Sequence, residues 1–236
     1  MTLILVGAGV AFDLTLEGLE ALKKCDEAFI ETYTNPTQDG AIERIEGLCK
    51  KNLVRLGRDK VESQFLVEKA RSNAVCLVVS GDPLTATTHI TLVIDAKAKG
   101  AEVRVIHNSS IYSVAPARSG LQIYRFGKTA SLVNPRPNYK PISSLDIIRQ
   151  NQENNAHTLV LLDTEPKPME AKDALEMLSE FSHAVVLSKL GWPEEKITYG
   201  KIADLKDKGL GSPPFAIIIP GKPHPVEQEF LDMLLK

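Results

Sequence analysis

Through the first hundred residues, short apolar runs alternate with segments whose apolar positions recur at helical spacing. Residues 2–10 (TLILVGAGV) form an uncharged run that ends in glycines, and 15–25 carry Leu16, Leu19 and Leu22 on one helical stripe. The same reading predicts strands at 28–33, 53–56, 75–79 and 103–107. It predicts helices at 42–50, 61–71 (with Phe65 and Leu66 inward) and 90–99, the last closed by Gly100. Continuous apolar runs predict strands buried on both faces, as in a parallel sheet. Their alternation with helices predicts a layered α/β domain.

The pattern changes after about residue 118. The stretch 120–141 holds three prolines, three aromatics and little periodicity. Strand-like runs return at 130–133, 158–162, 184–187 and 216–219, with helices predicted at 143–152, 170–180 and 226–235. His224-Pro225 opens the last helix as an N-cap followed by proline at the first helical position. The expectation is an α/β protein of two domains, 1–114 and 115–236, with a parallel sheet in the first and a mixed sheet in the second.

Composition narrows the function classes. The 236 residues carry 28 Lys and Arg against 30 Asp and Glu, a net charge of −2, so no basic surface points to nucleic acid. No run of about 18 apolar residues predicts a membrane span. The N-terminus lacks a basic leader and reads as a first strand rather than a signal peptide. Cys25, Cys49 and Cys76 are odd in number and far apart, which predicts reduced thiols in a cytoplasmic protein and no zinc site.

In an open parallel sheet, ligands bind beyond the carboxyl ends of the strands. That rule selects Gly7-Ala8-Gly9-Val10, Gly81-Asp82-Pro83-Leu84, Asn108-Ser109-Ser110-Ile111 and the Leu162-Asp163-Thr164 turn. Gly7 and Gly9 permit close backbone approach. A dinucleotide fingerprint would place a third glycine where Phe12 stands, so a tight turn into a helix competes with a phosphate cradle. The stretch SGDPLTATTH, residues 80–89, is more specific. Asp82 is an acceptor at a strand end, suited to a hydroxyl or an ammonium; the competing reading is an Asx-turn with threonines capping the next helix. The five histidines lie far apart, and Ser110 has no evident His/Asp partners for a hydrolase triad.

Taken together, GAG near the N-terminus, SGDPLTATTH, HNSSIYS, GLQIYRFGK and the closing GSPPFAIIIPGKPH resemble the diphthine synthases. These belong to the tetrapyrrole-methylase-like class of S-adenosyl-L-methionine-dependent methyltransferases. The resemblance spans nearly the whole chain. It implies the cofactor in a cleft between two domains, with S-adenosyl-L-homocysteine as product, and a cytoplasmic homodimer. It implies a protein substrate, elongation factor 2, whose 3-amino-3-carboxypropyl-histidine is N-methylated in diphthamide biosynthesis. It involves neither nucleic acid nor a membrane. Cofactor contacts carried over are Val10, Asp82, Thr85, Ser110, Ile111, Leu162, Leu190 and Phe215, which Gly7, Gly9 and Gly81 join as points of close backbone approach; no catalytic base and no metal are implied.

For the protein substrate, the proline-rich stretch 134–144 with Arg136, Tyr139 and Lys140 is a candidate docking loop, and Arg118 and Arg125 are candidates for a substrate carboxylate. Two alternatives stay open: a cobalt-precorrin (tetrapyrrole) C-methyltransferase of the same fold, and a non-catalytic binder of an adenosyl metabolite.

Overall fold

The apolar runs of the first half become five strands of one parallel sheet in a computed structural model that describes residues 1–134 and 143–235. The chain falls into two units, Met1–Ile111 and Tyr112–Lys236. The first contains β1 (Thr2–Gly7), α1 (Leu16–Lys24), β2 (Glu27–Glu31), α2 (Ala41–Cys49), β3 (Val54–Leu56), α3 (Arg58–Val61), α4 (Phe65–Ala70), β4 (Ala74–Val79), α5 (Ile90–Ala98) and β5 (Glu102–Ile106). Its sheet order is β3-β2-β4-β1-β5, every pairing parallel.

Both faces of this sheet are covered. Leu3, Leu5, Val75, Leu77 and Val79 pack with Leu66, Val67 and Ala70 of α4 and Leu92 and Ala96 of α5. The alternate residues Ile4, Val6, Cys76 and Val78 are buried as well. A Cβ on Gly18 would lie 2.9 Å from a Val6 methyl carbon, so α1 rests closely on β1. Each fully buried Leu or Val contributes about 1.5–3 kcal/mol relative to exposure. Thr15 starts α1, its hydroxyl accepting the Gly18 N–H at 3.0 Å. The helix expected over 61–71 is instead two, broken around Glu62–Gln64, so Val61 and Phe65 belong to different helices.

The second unit contains most of α6 (Ile111–Ser119), a 3-10 turn at Ile123–Arg125, β6 (Ala130–Leu132), α7 (Ser143–Glu153), β7 (Thr158–Leu162), α8 (Ala171–Met177), β8 (His183–Ser188), β9 (Lys196–Lys201), α9 (Ile202–Leu205), β10 (Phe215–Ile219) and α10 (Pro225–Met233). Its sheet order is β6-β7-β10-β8-β9. β6 pairs with β7 in parallel and the other three pairings are antiparallel, giving the mixed sheet expected.

His224 caps α10 as predicted, and Glu227 completes a capping box by accepting the His224 N–H at 2.6 Å. Glu227 is fully buried. It also accepts the Gln122 N–H at 2.9 Å and lies 3.2 Å from the Arg125 guanidinium. One carboxylate thus ties α10 to the turn at 122–125.

Candidate functional site

Strands β4, β1 and β5 are neighbours running the same way, with Gly7 opposite Val79 and Val6 opposite Ile106. Their carboxyl ends therefore release three turns side by side: Ala8–Val10, Ser80–Leu84 and His107–Ser110. Gly9 and Gly81 exchange both backbone hydrogen bonds, at 3.0 and 3.1 Å, as an isolated antiparallel bridge between the first two turns. Each has positive φ, +67° and +73°, which favours glycine at both positions. Gly7 is closely surrounded: a Cβ there would meet the Gly81 carbonyl at 2.8 Å and Asn108 Cβ at 2.9 Å. The third turn joins through Ser109, whose hydroxyl accepts the Val10 N–H at 3.3 Å. Asn108 Nδ2 donates to the carbonyls of Gly7 at 3.0 Å and Asp13 at 2.7 Å.

Asp82 is the hub. Its buried carboxylate accepts the Leu84 N–H and the Thr85 hydroxyl on one oxygen, each at 3.0 Å. On the other it meets His107 Nδ1 at 2.7 Å and the Asn108 N–H at 3.4 Å. Burial pushes its pKa up, but the donors from His107, Leu84, Thr85 and Asn108 outweigh this and hold it below the usual aspartate value. The Asx-turn weighed for this stretch is present. Asp82 braces the turn from within, and its carboxylate oxygens are engaged by the protein.

Phe12 occupies the position of a third fingerprint glycine with φ +57°, and α1 begins only at Leu16. The first turn therefore does not lead directly into a helix N-terminus, and the dinucleotide-type cradle is absent.

In the second unit, Leu162 ends β7, Phe215 begins β10, and Leu190 follows the end of β8. Because β10 is antiparallel to both neighbours, its first residue lies at the same sheet edge as their last. Ala216 faces Leu161, and Phe215 faces Ser188. The Lys189 N–H donates to the Pro214 carbonyl at 2.9 Å, drawing the Leu190 turn toward the start of β10. Leu162 and Phe215 pack against the core of this unit, and Leu190 is buried.

The family described as Tetrapyrrole (Corrin/Porphyrin) Methylases matches residues 2–206. A diphthine synthase from Methanocaldococcus jannaschii is 39% identical over 253 residues, covering 98% of each chain. Another from Staphylothermus marinus is 38% identical over 246 residues, covering 97% of this chain and 92% of its own. The chain belongs to the tetrapyrrole methylases and, within them, to the diphthine synthases. A crystal structure of diphthine synthase has the same fold, with a TM-score of 0.91 and 33% identity over 99% of this chain and 96% of that one.

Methyltransferases of this family imply a donor of the S-adenosylmethionine type. The residues of the first unit fit such a group. A Cβ on Gly81 would stand in ordinary contact with the Ser109 carbonyl at 3.8 Å and Ser110 Cα at 4.0 Å, so the bare backbone of this turn faces the third turn. Gly7, Gly9, Val10, Gly81, Asp82, Thr85, Ser110 and Ile111 all lie on or beside these turns, and Leu162, Leu190 and Phe215 share one sheet edge.

The two arginines considered for a substrate carboxylate are committed elsewhere. Arg118 pairs with Glu195, and Arg125 with buried Glu227 and the Lys222 carbonyl, at 2.6 Å to the latter. Arg136, Tyr139 and Lys140 lie outside the described residues. Sequence reasoning gave no special weight to His107 and did not separate Asn108 from its turn. The available signal was the position of both immediately after β5, the strand beside β1.

Proposed function

We propose that this protein N-methylates the amino group of the 3-amino-3-carboxypropyl-histidine on elongation factor 2, repeatedly, as a step of diphthamide biosynthesis. The observation that carries the reading is the convergence of the β1, β4 and β5 turns in a chain whose full-length relatives are named diphthine synthase. S-adenosyl-L-methionine, when bound, supplies an activated methyl whose leaving group is a neutral thioether, so no acid is required for departure. The protein's task is then alignment and exclusion of water, worth about 7–11 kcal/mol in well-oriented systems.

Gly81 and Gly9 offer backbone at close range, Asp82 and Thr85 fix the shape of that backbone, and Ser110 and Ile111 form the neighbouring wall. Leu162, Leu190 and Phe215, gathered at one end of the second unit's own sheet, are the apolar contacts that the family resemblance adds. The acceptor is an alkylamine, protonated near neutral pH, and only its neutral form attacks. A low-dielectric site lowers its pKa without a dedicated base.

We further propose that the protein acts in the cytoplasm as a homodimer. Among the described residues no helix is long and apolar enough to cross a membrane. The test is incubation with methyl-labelled S-adenosyl-L-methionine and elongation factor 2 carrying the unmethylated precursor. Label on the factor is expected. Label reaching only a corrinoid, or donor binding without transfer, would replace this reading with a tetrapyrrole methylase or a metabolite-binding protein respectively.

A further inference from the structure

Behind the central turn lies a polar chain that the site itself does not use. His89 closes the SGDPLTATTH stretch at the start of α5 and is 1% exposed. Its Nδ1 is 3.1 Å from the Pro83 carbonyl oxygen, and its Nε2 is 3.1 Å from the Tyr33 hydroxyl. A carbonyl oxygen only accepts, so Nδ1 carries the proton; in the neutral ring Nε2 is then an acceptor, and the Tyr33 hydroxyl donates to it. Burial lowers the basicity of His89, while burial and nearby Glu31 push the Tyr33 phenol up to about 12. Both are therefore neutral near pH 7, and the proton order is fixed.

Tyr33 is anchored in turn. Its N–H donates to Glu31 Oε2 at 3.1 Å, the Thr34 N–H reaches the same oxygen at 2.9 Å, and Glu31 Oε1 accepts the Ser80 N–H at 3.4 Å. Glu31 is itself buried at the end of β2, the strand beside β4. The Gly81-Asp82-Pro83 turn is thus gripped before and after by the end of a fourth strand: Glu31 holds Ser80, and Tyr33 through His89 holds Pro83.

We propose that His89 and Tyr33 are positioning residues that set the Gly81-Asp82-Pro83 turn in its cofactor-binding shape through the Pro83 carbonyl. This rests on the reading of an S-adenosylmethionine-type donor at that turn. His89 is enclosed and acts on the ligand only through the turn, so its effect falls on affinity.

The test pairs calorimetric binding of S-adenosyl-L-homocysteine with hydrogen exchange of the Leu84 amide, which reports the turn in ligand-free protein. His89→Phe removes both bonds and should weaken binding about tenfold and speed Leu84 exchange by a similar factor. Asparagine places its amide nitrogen near the former Nδ1, so His89→Asn should recover affinity to within about threefold of wild type; glutamine, which mimics Nε2, should not recover it. Tyr33→Phe should fall between, about threefold weaker.

Wild-type affinity and Leu84 exchange in His89→Phe would overturn the proposal. So would His89→Asn proving as weak as His89→Phe, since that marks a packing role alone. If the wild-type protein binds no S-adenosyl-L-homocysteine, the donor reading fails. The exchange comparison would then still decide whether His89 sets the turn: unchanged exchange overturns the coupling, and faster exchange supports it.

Discussion

Replacing Asp82 by alanine removes an acceptor from four donors at once, which makes its cost calculable. The Thr85 hydroxyl can rotate toward water. His107, whose side chain is 67% exposed, can do the same, so its hydrogen bond contributes little. The Leu84 and Asn108 N–H groups are backbone donors held in place and cannot turn away. Hydrogen bonds to a charged group contribute about 1.5–3 kcal/mol each, and the 3.4 Å contact to Asn108 belongs at or below the bottom of that range. The expected loss is about 2–3 kcal/mol, visible as a lower urea midpoint for the first unit. Where the turn opens locally without unfolding, the same free energy is taken from ligand binding, up to about a hundredfold in S-adenosyl-L-homocysteine affinity. Asp82→Asn keeps an oxygen for Leu84 and Thr85 but sets an NH2 toward His107, and should lose about 1 kcal/mol. Calorimetry and urea titration on the three proteins give the order wild type, asparagine, alanine. An alanine variant with wild-type affinity and wild-type midpoint would refute the bracing role.

Gly81→Ala separates binding from folding. Its φ of +73° should cost about 1 kcal/mol of stability, while the methyl, set toward Ser109 and Ser110 on the backbone proposed to meet the donor, should abolish detectable S-adenosyl-L-homocysteine binding by calorimetry. Glu227→Ala leaves Arg125 and the Gln122 and His224 N–H groups without their buried acceptor; a loss of about 3–5 kcal/mol is expected, read by chemical denaturation of the second unit. Acid sensitivity should come in two stages in urea midpoints measured against pH. Burial lowers the basicity of His89 and His157, so their contribution is complete above about pH 6.5 and declines as pH falls from there toward their folded values. Asp82, held below its usual value, contributes above the ordinary aspartate range, and that part is lost only as pH falls through its depressed value. His89→Asn should remove the His89 share of the first stage, keep that of His157 and leave the second stage unchanged.

The strands of the first sheet were legible because burial on both faces demands uninterrupted apolar runs, and glycines at their ends marked where chain could meet ligand. β9 escaped notice because an edge strand paired only with β8 is half exposed: its sequence, KITYGK, mixes lysines with isolated apolar residues. α6 carries Pro116 and two serines, a poor helical pattern that tertiary packing overrides, with Ala115, Pro116 and Ser119 buried. The site was legible as turns gathered at the carboxyl ends of strands, but the hydrogen bonds that join them were not. That Asp82 spends its charge on His107 and Asn108, residues 25 and 26 positions away, follows from β5 lying beside β1, a neighbourhood no local pattern encodes. The same holds for Glu31 and Tyr33 behind the turn.

The second sheet carries a consequence for how the protein is made. Its middle strand is β10, the last to leave the ribosome, whereas β7 and β8 flank it from positions made earlier. Until about residue 219 has emerged, those two strands have no shared partner, and their apolar faces wait for a centre that does not yet exist. The first sheet has all its strands by residue 106, whereas the second cannot be completed until β10 has been made, so the two sheets close in chain order.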